Sequence, residues 1–122
     1  METKKTIMVV DDNPDIITIV KTILEGKGFN VLSASSGQEL LDLLKGQKPD
    51  LIILDIMMPE MDGWQVLKLL KADPELKTIP VIMVSIVENK PMALDVGAMD
   101  SLTKPIAWDR LLDLTRDAVR QK

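Results

Sequence analysis

Acidic, hydroxyl and ammonium side chains stand directly after short apolar or mixed runs at several separate places in the chain. These residues are Asp11 and Asp12, Asp55, Ser85 and Lys104. The three carboxylates can serve as oxygen ligands of a metal ion. The hydroxyl is a short hydrogen-bonding group, and the ammonium is a cation. The set suits a metal-assisted reaction at an anion only if the fold brings the members together.

Carboxylates packed together repel one another, by roughly 4 kcal/mol at 4 Å and an effective dielectric near 20. A hard divalent cation relieves this repulsion, and Mg²⁺ prefers one or two carboxylates together with several waters. Lys104 adds positive charge for phosphoryl oxygens, and Ser85 adds a donor and acceptor. Phosphoryl transfer depends mainly on positioning and charge neutralisation. A carboxylate can act as its nucleophile and form an aspartyl phosphate.

The elements that must position these residues alternate between short runs and amphipathic stretches. The predicted strands are Ile7–Val10, Asn30–Ser33, Leu51–Leu54, Val81–Val84 and Asp100–Thr103. Short apolar runs bounded by turn residues are typical of buried parallel strands. Five β-α units predict an α/β fold, a doubly wound parallel sheet with helices on both faces. Strand ends then share one edge, where ligands of such sheets bind.

Helix boundary signals support the same alternation. Pro14 stands near the start of the first predicted helix, and Gly28 stands just past its end. Ser36 and Glu39 have the spacing of a capping box for the second helix. Asp62 is a candidate N-cap for the third. Pro91 is predicted to open a short fourth helix, and a fifth helix is predicted from Trp108.

Length and composition limit the classes of protein. The 122 residues predict a single domain, 1–122, without an effector domain. A net charge of −4 and 2% aromatic content disfavour direct nucleic-acid binding. No apolar run approaches the roughly 20 residues that span a bilayer, and the N-terminus is unlike a signal peptide. We therefore expect a cytoplasmic protein with no direct membrane partner. Cys and His are both absent, which excludes disulfides and histidine chemistry on this chain.

Four segments together resemble the receiver domain of two-component response regulators. They are Ile7–Pro14, Leu54–Gly63, Ser85 and Leu102–Pro105. The resemblance covers essentially the whole chain and implies a flavodoxin-like (βα)5 fold with strand order 2-1-3-4-5.

The resemblance also implies a role for each residue of the metal site. Asp12 and Asp55 would bind Mg²⁺ through their side chains, and Met57 through its backbone carbonyl. Asp11 would contact the ion mainly through water.

By the same resemblance, Asp55 would be the phosphoacceptor. Ser85 would reorient to hydrogen-bond the phosphoryl group, and Lys104 would pair with it. Pro105 would follow a cis peptide bond, and Gly63 would start the third helix.

Three positions depart from the family pattern. Ser101 stands where the family usually has Tyr or Phe, so the usual aromatic output switch is missing. Ile86 stands where Ala is common, and its bulk is expected to narrow access to the site. Ser85 and Lys104 are 19 positions apart, a few fewer than in many stand-alone regulators. The segments around Ser85 and Gly97 look like receivers attached to hybrid sensor kinases.

The leading hypothesis is a phosphoacceptor signalling domain and not an enzyme, with at most slow self-phosphorylation and self-dephosphorylation. Its implied phosphodonor is a histidine kinase or a histidine phosphotransfer protein. The helix from Ile16 to Leu24 and the loop after Lys104 would face that donor. Dimerisation through the last helix stays open.

Two alternatives stay open beside this hypothesis. One is a receiver-fold interaction module without phosphorylation, which Ser101 and Ile86 motivate. The other is a phosphatase of the haloacid-dehalogenase type. Such enzymes usually carry a second Asp two residues after the nucleophile, where this chain has Met57.

Overall fold

Five strands alternate with five helices in a computed structural model that describes residues 4–120. The elements are β1 (Thr6–Val10), α1 (Pro14–Gly26), β2 (Asn30–Ala34), α2 (Gly37–Leu44), β3 (Leu51–Asp55), α3 (Gly63–Ala72), β4 (Val81–Ser85), α4 (Lys90–Val96), β5 (Asp100–Thr103) and α5 (Trp108–Arg120). All ten predicted elements are present. Within residues 4–120, no helix is long and apolar enough to cross a membrane.

The strands form one parallel sheet in the order β2-β1-β3-β4-β5. This confirms the α/β doubly wound, flavodoxin-like fold. Asp55 and Ser85 are the last residues of β3 and β4, where the sequence pattern had ended each strand one residue earlier. Asp55 pairs with Val84, and Ser85 pairs with Thr103, so the sheet continues through these polar residues.

Each face of the sheet has its own apolar core because side chains alternate along a strand. Met8 and Val10 of β1 belong to the cluster that includes buried residues of α2, α3 and α4. Ile7 and Val9 belong to the other cluster, with buried residues of α1 and α5. Burial of both faces explains the apolar character of the strands.

The helix starts match most of the predicted caps. Asp62 and Gln65 form a complete capping box, with two reciprocal bonds of 2.9 Å at the start of α3. The capping box predicted at Ser36 is only half formed. The Ser36 hydroxyl accepts from the Glu39 amide, but the Glu39 carboxylate accepts from the amide of Ser35.

Candidate functional site

Three carboxylates meet where β1 and β3 end. Each of Asp11, Asp12 and Asp55 offers an oxygen atom, and these three atoms lie within 4.8 Å of one another. Asp11 and Asp55 are each only 3% exposed, whereas Asp12 is exposed. The predicted gathering of these side chains at one edge of the sheet is therefore observed.

Lys104 brings a positive charge to the two buried carboxylates. Its Nζ atom lies 3.1 Å from Asp11 Oδ2 and 3.3 Å from Asp55 Oδ1. The Lys104 amide donates to the Ser85 carbonyl over 2.7 Å, which fixes the loop after β5 against the end of β4. The peptide bond between Lys104 and Pro105 is cis, as the resemblance implied.

The charges of the cluster are unevenly balanced. Burial, with the neighbouring charge of Asp11, raises the pKa of Asp55 to about 6, although Lys104 acts in the opposite direction. Burial alone lowers the pKa of Lys104. Its hydrogen bonds to Asp11 and Asp55 and their charges outweigh that effect, so its pKa lies above the ordinary value. One ammonium among three carboxylates leaves negative charge that an added cation can neutralise.

Ser85 is buried at the end of β4, and its hydroxyl accepts from the amide of Val87 over 3.1 Å. The side chain of Ile86, the next residue, is 63% exposed. The sheet pairing places Ser85 one residue beyond Val84, the partner of Asp55 on the neighbouring strand. The same edge of the sheet thus carries Asp55 at the end of β3, Ser85 at the end of β4 and Lys104 just after β5.

The loop between β3 and α3 is fixed against the backbone of Asp55. Met57 lies in this loop, two residues after Asp55, and its side chain is 58% exposed. The Gly63 amide donates to the Ile56 carbonyl over 2.8 Å. A Cβ at Gly63 would lie 2.5 Å from the Asp55 carbonyl oxygen, so this position requires glycine.

Sequence reasoning missed two contributions to the site. The close approach of Gly63 to Asp55 was not predicted, although Gly63 was expected to start α3, as it does. The Asn13 amide donates to Asp11 Oδ1 over 2.9 Å, which holds one buried carboxylate in place. Asp11 stands two residues before Asn13, the N-cap of α1, and Asp side chains often accept from the backbone amide two residues on, so the spacing carries this signal.

Residues 7–116 match the family model described as the response regulator receiver domain. The chain belongs to this family. It is 39% identical to the alkaline phosphatase synthesis transcriptional regulatory protein PhoP of Bacillus subtilis, over 84% of this chain and 43% of PhoP. It is 36% identical to the polar-differentiation response regulator DivK of Brucella ovis, over 89% of this chain and 91% of DivK.

A solved structure of the same kind is the signal receiver domain of a signal transduction histidine kinase from Syntrophus aciditrophicus. It has a TM-score of 0.89 and 35% sequence identity, and the match covers 96% of this chain and 91% of that one. The receiver-domain chain is thus similar both to regulators and to a domain of a kinase.

The receiver-domain chain spans less than half the length of PhoP. Because PhoP is named as a transcriptional regulator, the expectation that nucleic acid is no partner receives no support from the comparisons. Receiver domains are signalling domains and not conventional enzymes, in agreement with the expectation for this chain.

Proposed function

We propose that this receiver domain accepts a phosphoryl group on Asp55 from a histidine kinase or a histidine phosphotransfer protein. The observation that carries the proposal is the position of Lys104 Nζ, within 3.3 Å of both Asp11 and Asp55 in a cluster of three carboxylates. The Asp55 carboxylate oxygen would form the new O–P bond as the N–P bond of the donor phosphohistidine breaks. The electron pair of that bond returns to the imidazole of the donor.

The carboxylate cluster fits Mg²⁺. Oxygen ligands from two or three carboxylates and one loop carbonyl suit a hard cation that keeps several waters. Asp12 and Asp55 would bind it through side chains, Met57 through its backbone carbonyl, and Asp11 through water. The ion would neutralise negative charge on the phosphoryl oxygens. The three oxygen atoms within 4.8 Å are the support for this assignment.

Three side chains would have the remaining roles in phosphoryl transfer: Lys104, Ser85 and Asp55. Lys104 would move from its carboxylate partners to the phosphoryl oxygens, and Ser85 would donate its hydroxyl proton to one of them. A pKa of about 6 leaves Asp55 mostly ionised, and therefore nucleophilic, at pH 7.5. A phosphoryl group adds roughly −1.5 to −2 charge and three acceptor oxygens, enough to bias a two-state surface.

The proposed donor would dock near α1 and the loop after Lys104. Ile19 on α1 is 43% exposed, so this helix offers apolar surface to a partner. We propose one receiver domain, 1–122. The activity of any longer protein that contains it, including binding of DNA, is a separate proposal that rests on the names of relatives such as PhoP.

The test is incubation with acetyl phosphate and Mg²⁺, followed by intact-mass measurement. We expect a gain of one phosphoryl group with Mg²⁺. We expect no gain when EDTA replaces Mg²⁺, and no gain in Asp55→Asn. Asp113→Asn, at an exposed site on α5, is the control and should be labelled like the wild type. Absence of labelling would favour an interaction module, and repeated turnover of a phosphate ester would favour a phosphatase.

A further inference from the structure

A cavity of about 420 Å³ lies between α2 and the turn that follows α3, and we call it the α2–α3 cavity. Its apolar lining residues are Leu41, Leu44 and Leu76. Leu44 is buried in the core cluster on this face of the sheet, and Leu41 and Leu76 are half-buried and pack against the same cluster. The cavity therefore has an apolar floor that the core supports. Its volume is within the roughly 300–1,000 Å³ that small-molecule sites occupy.

The charged side chains that line the α2–α3 cavity are separated by sign. Lys45 and Lys48, which follow α2, provide the cations, and Lys45 also forms an exposed pair with Asp42 at 3.6 Å. Asp73 and Glu75, in the turn after α3, provide the anions. Lys48 Nζ lies 3.7 Å from Glu75 Oε2, in an ion pair whose side chains are 46% and 78% exposed. Such an exposed pair contributes little to stability, so a ligand can replace it at small cost.

The turn after α3 is fixed by several hydrogen bonds. Asp73 Oδ1 accepts from the Glu75 amide over 2.8 Å. The Asp73 carbonyl accepts from the amides of Leu76 and Lys77 over 3.1 and 2.9 Å. Lys71 Nζ donates to the Lys77 carbonyl over 3.0 Å, which ties the turn to the end of α3. The acidic side of the cavity is therefore formed before any ligand binds, and this lowers the entropy cost of binding.

The α2–α3 cavity lies at the edge of the sheet opposite to the carboxylate cluster. Residues 45–48 precede β3 and residues 73–76 precede β4, whereas Asp55 and Ser85 end these two strands. Because β3 and β4 are parallel, their starts share one edge of the sheet and their ends share the other. A ligand in this cavity would therefore not touch the proposed phosphoryl site.

We propose that the α2–α3 cavity binds a small zwitterion with an aliphatic side chain, of the chemical class of a free aliphatic α-amino acid. The carboxylate of the ligand would pair with Lys48 and its ammonium with Glu75, in place of the present ion pair. The aliphatic side chain would cover the leucines of the floor. The interior of a peptide carries no ammonium and carboxylate on one residue's backbone, so the separated charges favour a free amino acid over a segment of a protein.

The first test titrates the full chain with L-leucine at low salt and follows the backbone amides by NMR. We expect saturable shifts at Leu41, Glu75 and Leu76, with a dissociation constant of about 0.1–10 mM, the range open to a ligand of this size. Glycine, which has no aliphatic side chain, should bind about tenfold more weakly. Failure to saturate in this range, shifts confined to other elements, or equal binding of glycine and leucine would overturn the proposal.

The second test matches each charge of the ligand with its residue. Leucinamide lacks the carboxylate and isocaproate lacks the ammonium, so each should bind the wild type about two- to fivefold more weakly than leucine does, the range of an exposed ion pair. In Lys48→Met, leucine and leucinamide should bind nearly equally. In Glu75→Gln, leucine and isocaproate should bind nearly equally. Lys21→Met, at an exposed site on α1 across the sheet, is the control and should keep the wild-type ratios.

Two further outcomes would overturn the proposal. If Lys48→Met and Glu75→Gln both keep the wild-type affinity ratios, these residues do not meet the charges of the ligand. N-acetyl-leucine methylamide carries the leucine side chain without either charge and represents a leucine of a protein partner. If it binds as tightly as leucine, the cavity is a protein-docking pocket and not an amino acid site. Neither outcome bears on phosphorylation of Asp55, which is tested separately.

Discussion

At the scale of single residues, the site combines a carboxylate that burial makes costly to ionise with a lysine that offsets part of the cost. Asp55 is 3% exposed and lies beside the buried Asp11, and only Lys104 Nζ, at 3.3 Å, favours its ionised form among the causes of its raised pKa. Such an arrangement is unfavourable for folding, and the proposed cation and phosphoryl group would both act on this carboxylate.

The raised pKa of Asp55 predicts that Asp55→Asn stabilises the fold by an amount that depends on pH. A pKa of about 6 against 3.8 means that the folded state holds a proton that the unfolded state has lost, so stability falls as pH rises through this window. Asn does not ionise and escapes this loss, which amounts to about 3 kcal/mol at pH 7.5. In urea unfolding with EDTA, the advantage of Asp55→Asn over wild type should shrink by about 2 kcal/mol from pH 7.5 to 4.5. Asp113→Asn is the control, and an advantage independent of pH would contradict the prediction.

Lys104→Met should lower the free energy of unfolding at pH 7.5, whereas Asp55→Asn should raise it. The variant keeps an unbranched side chain, one heavy atom shorter, but leaves two buried carboxylates without their cation. Because the Lys104 side chain is 20% exposed, we expect a loss of about 2 kcal/mol in EDTA, less than the 3–5 kcal/mol of a fully buried pair. Lys45→Met removes a pair with Asp42 in which both side chains are largely exposed. That control should change the unfolding free energy by less than about 0.5 kcal/mol. Equal losses in the two variants would refute a special role for Lys104.

At the scale of elements, the start of α3 is built directly onto the end of β3. Gly63 is the first residue of α3, and its amide bonds the Ile56 carbonyl over 2.8 Å. The capping box of Asp62 and Gln65 holds the helix at this place. The strand end that carries Asp55 is therefore positioned by a helix as well as by the sheet.

Gly63→Ala tests that contact. Its Cβ would lie 2.5 Å from the Asp55 carbonyl oxygen and 2.7 Å from Ile56 Cα, so backbone has to move. We expect a loss of about 1–3 kcal/mol in the free energy of unfolding, measured in urea. Gly46→Ala is the matched control, since nothing lies within 4 Å of its Cβ. An unchanged stability of Gly63→Ala would show that the backbone yields without cost.

Some contacts of the site could be predicted from the sequence and others could not, for a physical reason. Strand ends share one edge of a parallel sheet, so the convergence of Asp11, Asp55 and Lys104 follows from the order of elements alone. The hydrogen bond that the Ser101 hydroxyl donates to Asn89 depends on loop conformation and side-chain rotamers, which periodicity does not encode. The close approach of Gly63 to Asp55 likewise depends on how α3 packs. The strand order could be expected only from the family resemblance, because the sequence pattern does not determine it.

At the scale of the whole molecule, the carboxylate cluster joins parts of the chain that are far apart in sequence. Asp11 and Lys104, 93 positions apart, meet within 3.1 Å and connect the end of β1 with the loop after β5. Asp55 adds the end of the central strand, β3. A cation bound by these carboxylates would need the ends of β1 and β3 in their folded positions, so its binding should stabilise the complete fold and not one loop.

Mg²⁺ should therefore raise the free energy of global unfolding in proportion to the logarithm of its concentration. At 100 times the dissociation constant the gain is about 2.7 kcal/mol, provided that the unfolded chain does not bind the ion. Asp12→Asn should lose most of this gain yet cost little without Mg²⁺, because Asp12 is exposed. Asp113→Asn should keep the full gain. Urea unfolding in EDTA and in a Mg²⁺ series measures all three proteins, and an equal response of Asp12→Asn and wild type would place the cation elsewhere.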